Sequence, residues 1–190
     1  MKKITNIKKY EIRIVAAILS VSIIMATALM TGTIWQTSQA KATTLQEVKV
    51  DREISAPIDK VWNIVSNVDN ETKYWPTFKA IKNIDVRDNT TEREVTITAG
   101  PLGDTKTHQF VTVNPEQFEV LTNITEGPFT GTRLLTLSPS TDVNGTTMAD
   151  VIWQMDLSGI PVIGQGFAKD GIKQTTEAAL DNIAQELENK

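Results

Sequence analysis

The spacing of hydrophobic and polar positions changes several times along this chain. An uncharged, mostly apolar run extends from Ile14 to Trp35. From Leu45 the apolar positions alternate with polar ones, which predicts a half-buried strand. After Pro57 the apolar positions recur every three to four residues, which predicts a short amphipathic helix. The apolar face of that helix consists of Ile58, Val61, Trp62 and Val65.

A second short helix or turn over Asn70–Trp75 ends at Pro76, and a series of strands follows. Clusters of Gly, Pro, Asn and Asp separate the strands, and so short a spacing predicts antiparallel hairpins. The strands are predicted at Phe78–Val86, Glu92–Ala99, Thr105–Val113, Gln117–Thr125, Thr132–Leu137 and Thr146–Leu157. Alternation is clearest in the last of them, where Val151, Trp153 and Met155 share one face.

The helical period returns at the C-terminal end of the chain. An apolar stripe there consists of Phe167, Ile172, Thr176, Ala179, Ile183 and Leu187. The element order β-α-α-β6-α predicts an α+β fold, in which a curved antiparallel sheet of about seven strands wraps around one long helix. A bent sheet over a single helix leaves space between the two layers.

The apolar run near the N-terminus is long enough to cross a membrane. Its 22 residues would span roughly 33 Å as a helix. Five basic residues precede it, which predicts a cytoplasmic N-terminus and an extracytoplasmic domain. We expect a basic tail at 1–13, an anchor at 14–35, a linker at 36–44 and a domain at 45–190. The alternative is a signal peptide cleaved near Ala40, which would release a secreted protein.

Composition and charge exclude several functional classes. Residues 1–40 hold five Lys and Arg against one acidic residue, whereas residues 41–190 hold 14 against 22. An acidic domain does not favour nucleic-acid binding. The chain has no cysteine and one histidine, which excludes disulfides, thiolate metal sites and histidine metal clusters. We expect no metal or other cofactor.

The first strand and helix carry a resemblance to a known family. The stretch EISAPIDKVWNIVSNVDNETKYWP, residues 53–76, resembles the opening of the START-like, Bet v 1-type (SRPBCC) helix-grip superfamily. That superfamily includes the polyketide cyclase/dehydrase and lipid-transfer group. The matching features are the Ser55–Pro57 turn, the Val61-Trp62 pair, Asp69 and the Trp75-Pro76 pair. IPVIGQGF, residues 160–167, is similar to the start of the family's last helix.

The resemblance implies a deep apolar cavity between the sheet and the last helix. The ligand of such a cavity would be a lipid, a polyketide or a quinone-like molecule, bound by a membrane-tethered monomer. An enzyme of the cyclase or dehydratase kind using the same cavity is the alternative, and a third possibility is a partner-binding protein whose cavity is filled by its own side chains. We predict a cavity lining of Trp75, Phe129, Val151, Trp153, Met155, Phe167, Ile172 and Thr176.

No set of residues in the sequence has the spacing of a catalytic group. His108 is predicted to be structural or exposed, and Arg133, Asp150 and Glu126 are predicted to be solvated or paired at the surface. The charged segment Arg87–Glu94 is predicted to be a solvated hairpin. Four N-x-S/T sequons could accept glycans on an extracytoplasmic domain. They begin at Asn70, Asn89, Asn123 and Asn144.

Overall fold

The computed structural model describes residues 45–99, 103–141 and 145–189. The predicted basic tail, anchor and linker, and the sequon at Asn144, lie outside these residues. Within the described part of the chain, no helix is both long enough and apolar enough to cross a bilayer.

Four short elements open the described domain in the predicted order. Strand β1 is Gln46–Ile54, and helix α1 is Ile58–Val65. Pro57 directly precedes α1 with φ −59°, a backbone angle that its ring already enforces. A single 3₁₀ turn, Val68–Asn70, leads into helix α2, Glu71–Tyr74. Trp75 directly follows α2 and has an extended backbone conformation, as expected for a residue that precedes proline.

Six strands and one long helix complete the domain. The strands are β2 Phe78–Arg87, β3 Thr90–Thr98, β4 Asp104–Asn114, β5 Glu119–Glu126, β6 Thr130–Pro139 and β7 Thr147–Asp156. The helix is α3, Val162–Glu188. All six predicted strands are confirmed. They could be predicted because turn residues mark the ends of each one.

The strands form one seven-stranded sheet in the order β1-β7-β6-β5-β4-β3-β2. Every neighbouring pair is antiparallel. The predicted α+β helix-grip architecture is therefore confirmed for the described residues. Strand β1 lies at one edge of the sheet, beside β7, and β2 lies at the opposite edge. The segment through α1 and α2 therefore carries the chain from one edge to the other.

The core lies between one face of the sheet and the helices. On β7, Ala149, Val151, Trp153 and Met155 are all buried, as their period of two predicts. Helix α3 is anchored to the layer beneath it at two further points. Arg52 of β1 forms an ion pair with Asp181 at 2.9 Å, and the Asn182 side-chain amide donates to the Tyr74 carbonyl at 2.8 Å.

Helix α3 is buried only in its second half. Five side chains there are shielded from solvent, namely Thr176, Ala179, Leu180, Ile183 and Ala184. The first turns instead expose large apolar side chains, with Val162 and Ile163 each 84% exposed and Phe167 77% exposed. The predicted stripe therefore packs on the sheet from Ile172 onward, and Phe167 lies outside it.

Candidate functional site

An aromatic cluster forms where α2 ends above the sheet. The Trp75 ring stacks on Phe78 with centroids 5.6 Å apart. Its edge contact with Trp153 has a centroid distance of 6.1 Å. Phe129 also contacts Trp153, at 6.3 Å between centroids. Three of the predicted lining residues, Trp75, Phe129 and Trp153, therefore meet in one cluster.

The other predicted lining residues are divided between the core and the surface. Val151 and Met155 are fully buried on β7. Thr176 accepts a hydrogen bond from the Trp153 indole N–H at 3.0 Å, which joins α3 to β7. Ile172 is partly buried against the same core. Phe167 is not brought to this interior, since its side chain is exposed to solvent.

A buried cluster of charged side chains lies beside the aromatic rings. Glu71, the first residue of α2, contacts Arg93 through one carboxylate oxygen and Arg133 through the other. The Arg93 side chain is fully buried and the Arg133 side chain is 2% exposed. The Arg133 guanidinium carbon also lies 4.3 Å from the Trp75 ring centroid and 5.6 Å from that of Trp153, positions that favour cation–π attraction.

Strand register brings the two arginines onto the inner face of the sheet. Arg93 of β3 lies opposite Gln109 of β4, and Arg133 of β6 lies opposite Thr122 of β5. Residues directly opposite on antiparallel strands point to the same face. Both guanidiniums therefore point toward α2, where the Glu71 carboxylate lies between them.

The two arginines differ in how completely they are hydrogen-bonded. All three Arg93 nitrogens have acceptors, because Nε and Nη2 donate to Gln109, Nη1 donates to the Val68 carbonyl at 3.0 Å, and Nη2 also reaches Glu71. In Arg133 only Nη2 is used, toward Glu71 and Thr122. Among the described residues, Arg133 Nε and Nη1 are buried without an acceptor.

Electrostatics favour the ionised form of Glu71. Burial alone would raise its pKa, but the two guanidiniums and their hydrogen bonds outweigh that effect and hold the pKa below its usual value. Burial lowers the pKa of Arg133, Glu71 partly opposes this shift, and Arg93 adds to it. The cluster is therefore one carboxylate between two cations.

A small cavity lies between the helices and the sheet next to this cluster. Its volume is about 20 Å³, which is enough for one water-sized group. The wall combines the charged pair Glu71 and Arg133 with aromatic and aliphatic side chains from both layers. The other lining residues are Ile64, Val65, Tyr74, Trp75, Val120, Leu135 and Ile183.

A larger groove of about 440 Å³ lies on the outside, between α1, α2 and the end of α3. Lys60, Asn63, Asn67 and Lys73 line it, and the Tyr74 hydroxyl donates to Glu186 across it at 2.9 Å. Because six of its nine lining residues have polar or charged side chains, the groove is a poor match for the predicted apolar ligand.

Two sequence-based predictions about charged residues were wrong. Arg133 was predicted at the surface and is buried, and the segment Arg87–Glu94 was predicted to be solvated although Arg93 within it is fully buried. The sequence did carry a signal for both. Arg93 has the same strand phase as Val95, and Arg133 has the same phase as Leu135 and therefore points inward.

The remaining polar candidates lie away from the buried cluster. His108 contacts Glu92 at 2.9 Å and Thr125 at 3.0 Å through its two ring nitrogens. Asp150 lies opposite Asp51 on β1, and Glu126 is exposed. Within the described ranges, no group of three or more His, Asp or Glu side chains is arranged to hold a metal ion.

Solved structures share this fold at low sequence identity. The protein TTHA0849 from Thermus thermophilus matches with a TM-score of 0.64 and 15% identity, over 74% of this chain and 95% of that chain. The Zhui aromatase/cyclase from Streptomyces sp. R1128 matches with a TM-score of 0.63 and 12% identity, over 76% and 94%. A START superfamily protein from Mycobacterium smegmatis matches with a TM-score of 0.57 and 16% identity, over 75% and 94%.

These likenesses establish the fold. Two of the solved relatives consist almost entirely of the matched region, and residues 42–190 form one compact unit of this chain. In those two relatives the fold therefore forms without a further domain. No curated protein is similar enough to this chain to count as a match.

The family assignment rests on the sequence of the same region. The model described as polyketide cyclase / dehydrase and lipid transport matches residues 46–188, which is most of the chain. The resemblance inferred from the opening strand and helix is confirmed. The chain belongs to the polyketide cyclase/dehydrase and lipid transport family.

Proposed function

We propose that this domain binds a hydrophobic small molecule in the space between its sheet and its helices. The observation that supports this proposal is the composition of the cavity wall. Val120 and Leu135 come from the sheet, whereas Ile64, Trp75 and Ile183 come from the helical layer. Moving the two layers apart would enlarge the cavity without breaking any strand pairing, and the new surface would be mostly apolar.

The described state is closed with respect to such a ligand. Small-molecule pockets commonly measure about 300–1,000 Å³, whereas this cavity measures about 20 Å³. Ligand binding therefore requires displacement of the helical layer, and Trp75 at the end of α2 is the side chain in the best position to move. The ligand would replace side-chain contacts that close the cavity in the free protein.

Catalysis is the weaker of the two functions at this site. Glu71 is the carboxylate of the cavity wall, and both its oxygens are held by guanidiniums. Its pKa lies below the usual value, so it is poorly suited to donate a proton near neutral pH.

Uptake of a neutral fluorescent probe tests the proposal directly. Residues 42–190 should bind N-phenyl-1-naphthylamine with saturable fluorescence enhancement, and native mass spectrometry should detect a co-purified apolar molecule. Val120→Phe, which fills the cavity, should weaken probe binding at least tenfold. Leu121→Phe is the matched control, because Leu121 is the next residue on β5 and is 42% exposed. Absence of uptake by the folded wild-type domain would reject the proposal.

The apolar segment 14–35 is the basis for a proposed location of the domain. We expect this segment to anchor the chain in the cytoplasmic membrane with the domain outside, so that the ligand is taken up near the lipid surface. Fractionation of cells that express the full chain should place it in the membrane pellet, and protease added outside should digest the domain. A soluble product that begins after Ala40 would instead show signal cleavage, and a protease-protected domain would show the opposite topology.

A further inference from the structure

Arg133 has more hydrogen-bonding capacity than the protein uses. A guanidinium offers five N–H donors, and two of the three Arg133 nitrogens are buried without an acceptor among the described residues. Arg93, on the same face and equally buried, has acceptors for every nitrogen. Buried donors without partners are rare in folded proteins, because desolvation makes them costly. Arg93 therefore has a complete structural site, whereas the site of Arg133 lacks an acceptor.

The charge of the cluster is also incomplete. Two guanidiniums share one carboxylate, since Glu71 contacts both Arg93 and Arg133. The uncharged partners Gln109 and Thr122 supply hydrogen bonds but no negative charge. Because isolated charges are expensive to bury, an anion is a better match for this place than a neutral oxygen.

The position of Arg133 indicates that an acceptor for its free N–H groups would lie in the small cavity. Arg133 forms part of the wall of the small cavity, and the rings of Trp75 and Trp153 cover its guanidinium. The cavity has room for about one oxygen-bearing group, while Val120, Leu135 and Ile183 form the apolar remainder of its wall. This arrangement suits a molecule with one anionic end and an apolar body.

We propose that Arg133 binds the ligand's buried end, and that the ligand is an apolar molecule ending in a carboxylate. This inference rests on the proposed function, because it names the chemistry of the molecule that the same cavity would take. The carboxylate supplies the acceptor that Arg133 lacks and neutralises the second guanidinium. The apolar chain extends between the sheet and the helices, where it displaces the side chains that close the cavity.

Paired ligands that differ only at the polar end test the proposal. Residues 42–190 would be titrated by displacement of N-phenyl-1-naphthylamine at pH 7.5 with dodecanoate below its micelle concentration and with dodecanol and methyl dodecanoate below their solubility limits. We expect dodecanoate to bind at least tenfold more tightly than either neutral ligand. Arg133→Met keeps much of the side-chain volume and leaves Glu71 paired with Arg93. In this variant the preference for dodecanoate over dodecanol should disappear, so that the two ligands bind with equal affinity.

A measurement on the wild-type domain covers the case in which Arg133→Met does not fold. Dodecanoate labelled with ¹³C at the carboxyl carbon reports its own ionisation by chemical shift. When the ligand is bound, a carboxylate beside Arg133 should titrate at least one pH unit lower than in water. A carboxyl group that remained in an apolar site or in solvent would titrate higher than in water or at the same pH.

The possible outcomes separate this inference from the proposed function. Equal binding of dodecanoate and dodecanol, or a bound carboxyl whose pKa is unchanged or raised, overturns the role of Arg133 and leaves a general apolar binding site. A dodecanoate complex in which only an ordered water contacts Arg133 also overturns it. Failure of the folded domain to bind the neutral probe or any of the three ligands rejects both.

Discussion

At the scale of single residues, the least replaceable side chain is Glu71. Its carboxylate separates two buried cations, so removing its charge leaves Arg93 and Arg133 facing each other at low dielectric. Glu71→Gln should therefore lower the free energy of unfolding by about 3 kcal/mol, measured by urea denaturation at pH 7. Glu177→Gln is the control, since its pair with Lys173 is exposed and should contribute less than about 0.5 kcal/mol. Equal losses in the two variants would contradict this view of the cluster.

The same carboxylate makes a defined contribution to acid stability. Its pKa is lower in the folded state than the ordinary value of 4.5. The stabilisation is therefore complete above pH 4.5 and is lost as the pH falls through the folded-state pKa. The difference in unfolding free energy between wild type and Glu71→Gln should shrink over that acidic range and stay constant from pH 6 to pH 8.

The Asp150 carboxylate, in contrast to that of Glu71, destabilises the folded protein when it is ionised. It lies directly opposite Asp51 across the β1–β7 ladder, and like charges in that position are destabilising. Burial raises the pKa of Asp150, and Asp51 raises it further. Asp150→Asn should therefore stabilise the protein by about 0.5 kcal/mol at pH 7, measured as a higher urea midpoint. The gain should be full above the folded-state pKa and vanish below pH 3.8, where Asp150 is also protonated in the unfolded chain. A gain that did not change with pH would exclude a charge effect.

At the scale of elements, β6 lies too close to β7 near its start for any side chain at Gly131. Gly131 has φ +145°, and a Cβ built on it would lie 2.1 Å from the Gln154 carbonyl oxygen of β7. Gly131→Ala should lower the unfolding free energy by about 2–3 kcal/mol, because backbone strain adds to the clash. Gly159→Ala is the matched control, since an added Cβ there meets nothing within 4 Å. A thermal melt in which both variants unfold at the same temperature would contradict the argument.

The secondary structure could be predicted from the sequence because its signals are local. Turn residues mark each strand end, and alternation on β7 correctly placed Val151, Trp153 and Met155 in the interior. The last helix was less predictable. Its apolar period continues to Phe167, but the sheet does not cover the first turns of α3, and the ring is exposed. The extent of burial along a helix depends on its partner layer, which no local pattern contains.

The burial of the charged cluster, like the burial of α3, depends on tertiary structure. Arg133 has the strand phase of buried residues, yet an isolated arginine in a sequence is usually solvated. Its burial becomes favourable only because α2 brings Glu71 across from a position 62 residues earlier in the chain. Sequence reasoning therefore singled out Trp75, Phe129 and Trp153, whose rings meet in one cluster, and missed the charged side chains beside them.

At the scale of the whole molecule, the proposed function makes ligand binding and closure competing states of one cavity. In the closed state Trp75 lies against Arg133 and Trp153, and the cavity holds about 20 Å³. A ligand can bind only to the fraction of molecules in which the helical layer has moved away from the sheet, so the apparent affinity is reduced by that fraction.

This competition predicts slow and saturable binding kinetics. In stopped-flow mixing of residues 42–190 with excess N-phenyl-1-naphthylamine, the observed rate should level off at high probe concentration, at the rate of opening. Trp75→Leu removes the ring that stacks on Phe78 and covers Arg133, so it should raise the plateau several-fold while lowering stability. Leu121→Phe on the outer face should leave the plateau unchanged. A rate that rises linearly with probe concentration toward about 10⁷ M⁻¹s⁻¹ or more would show instead that the free protein is already open.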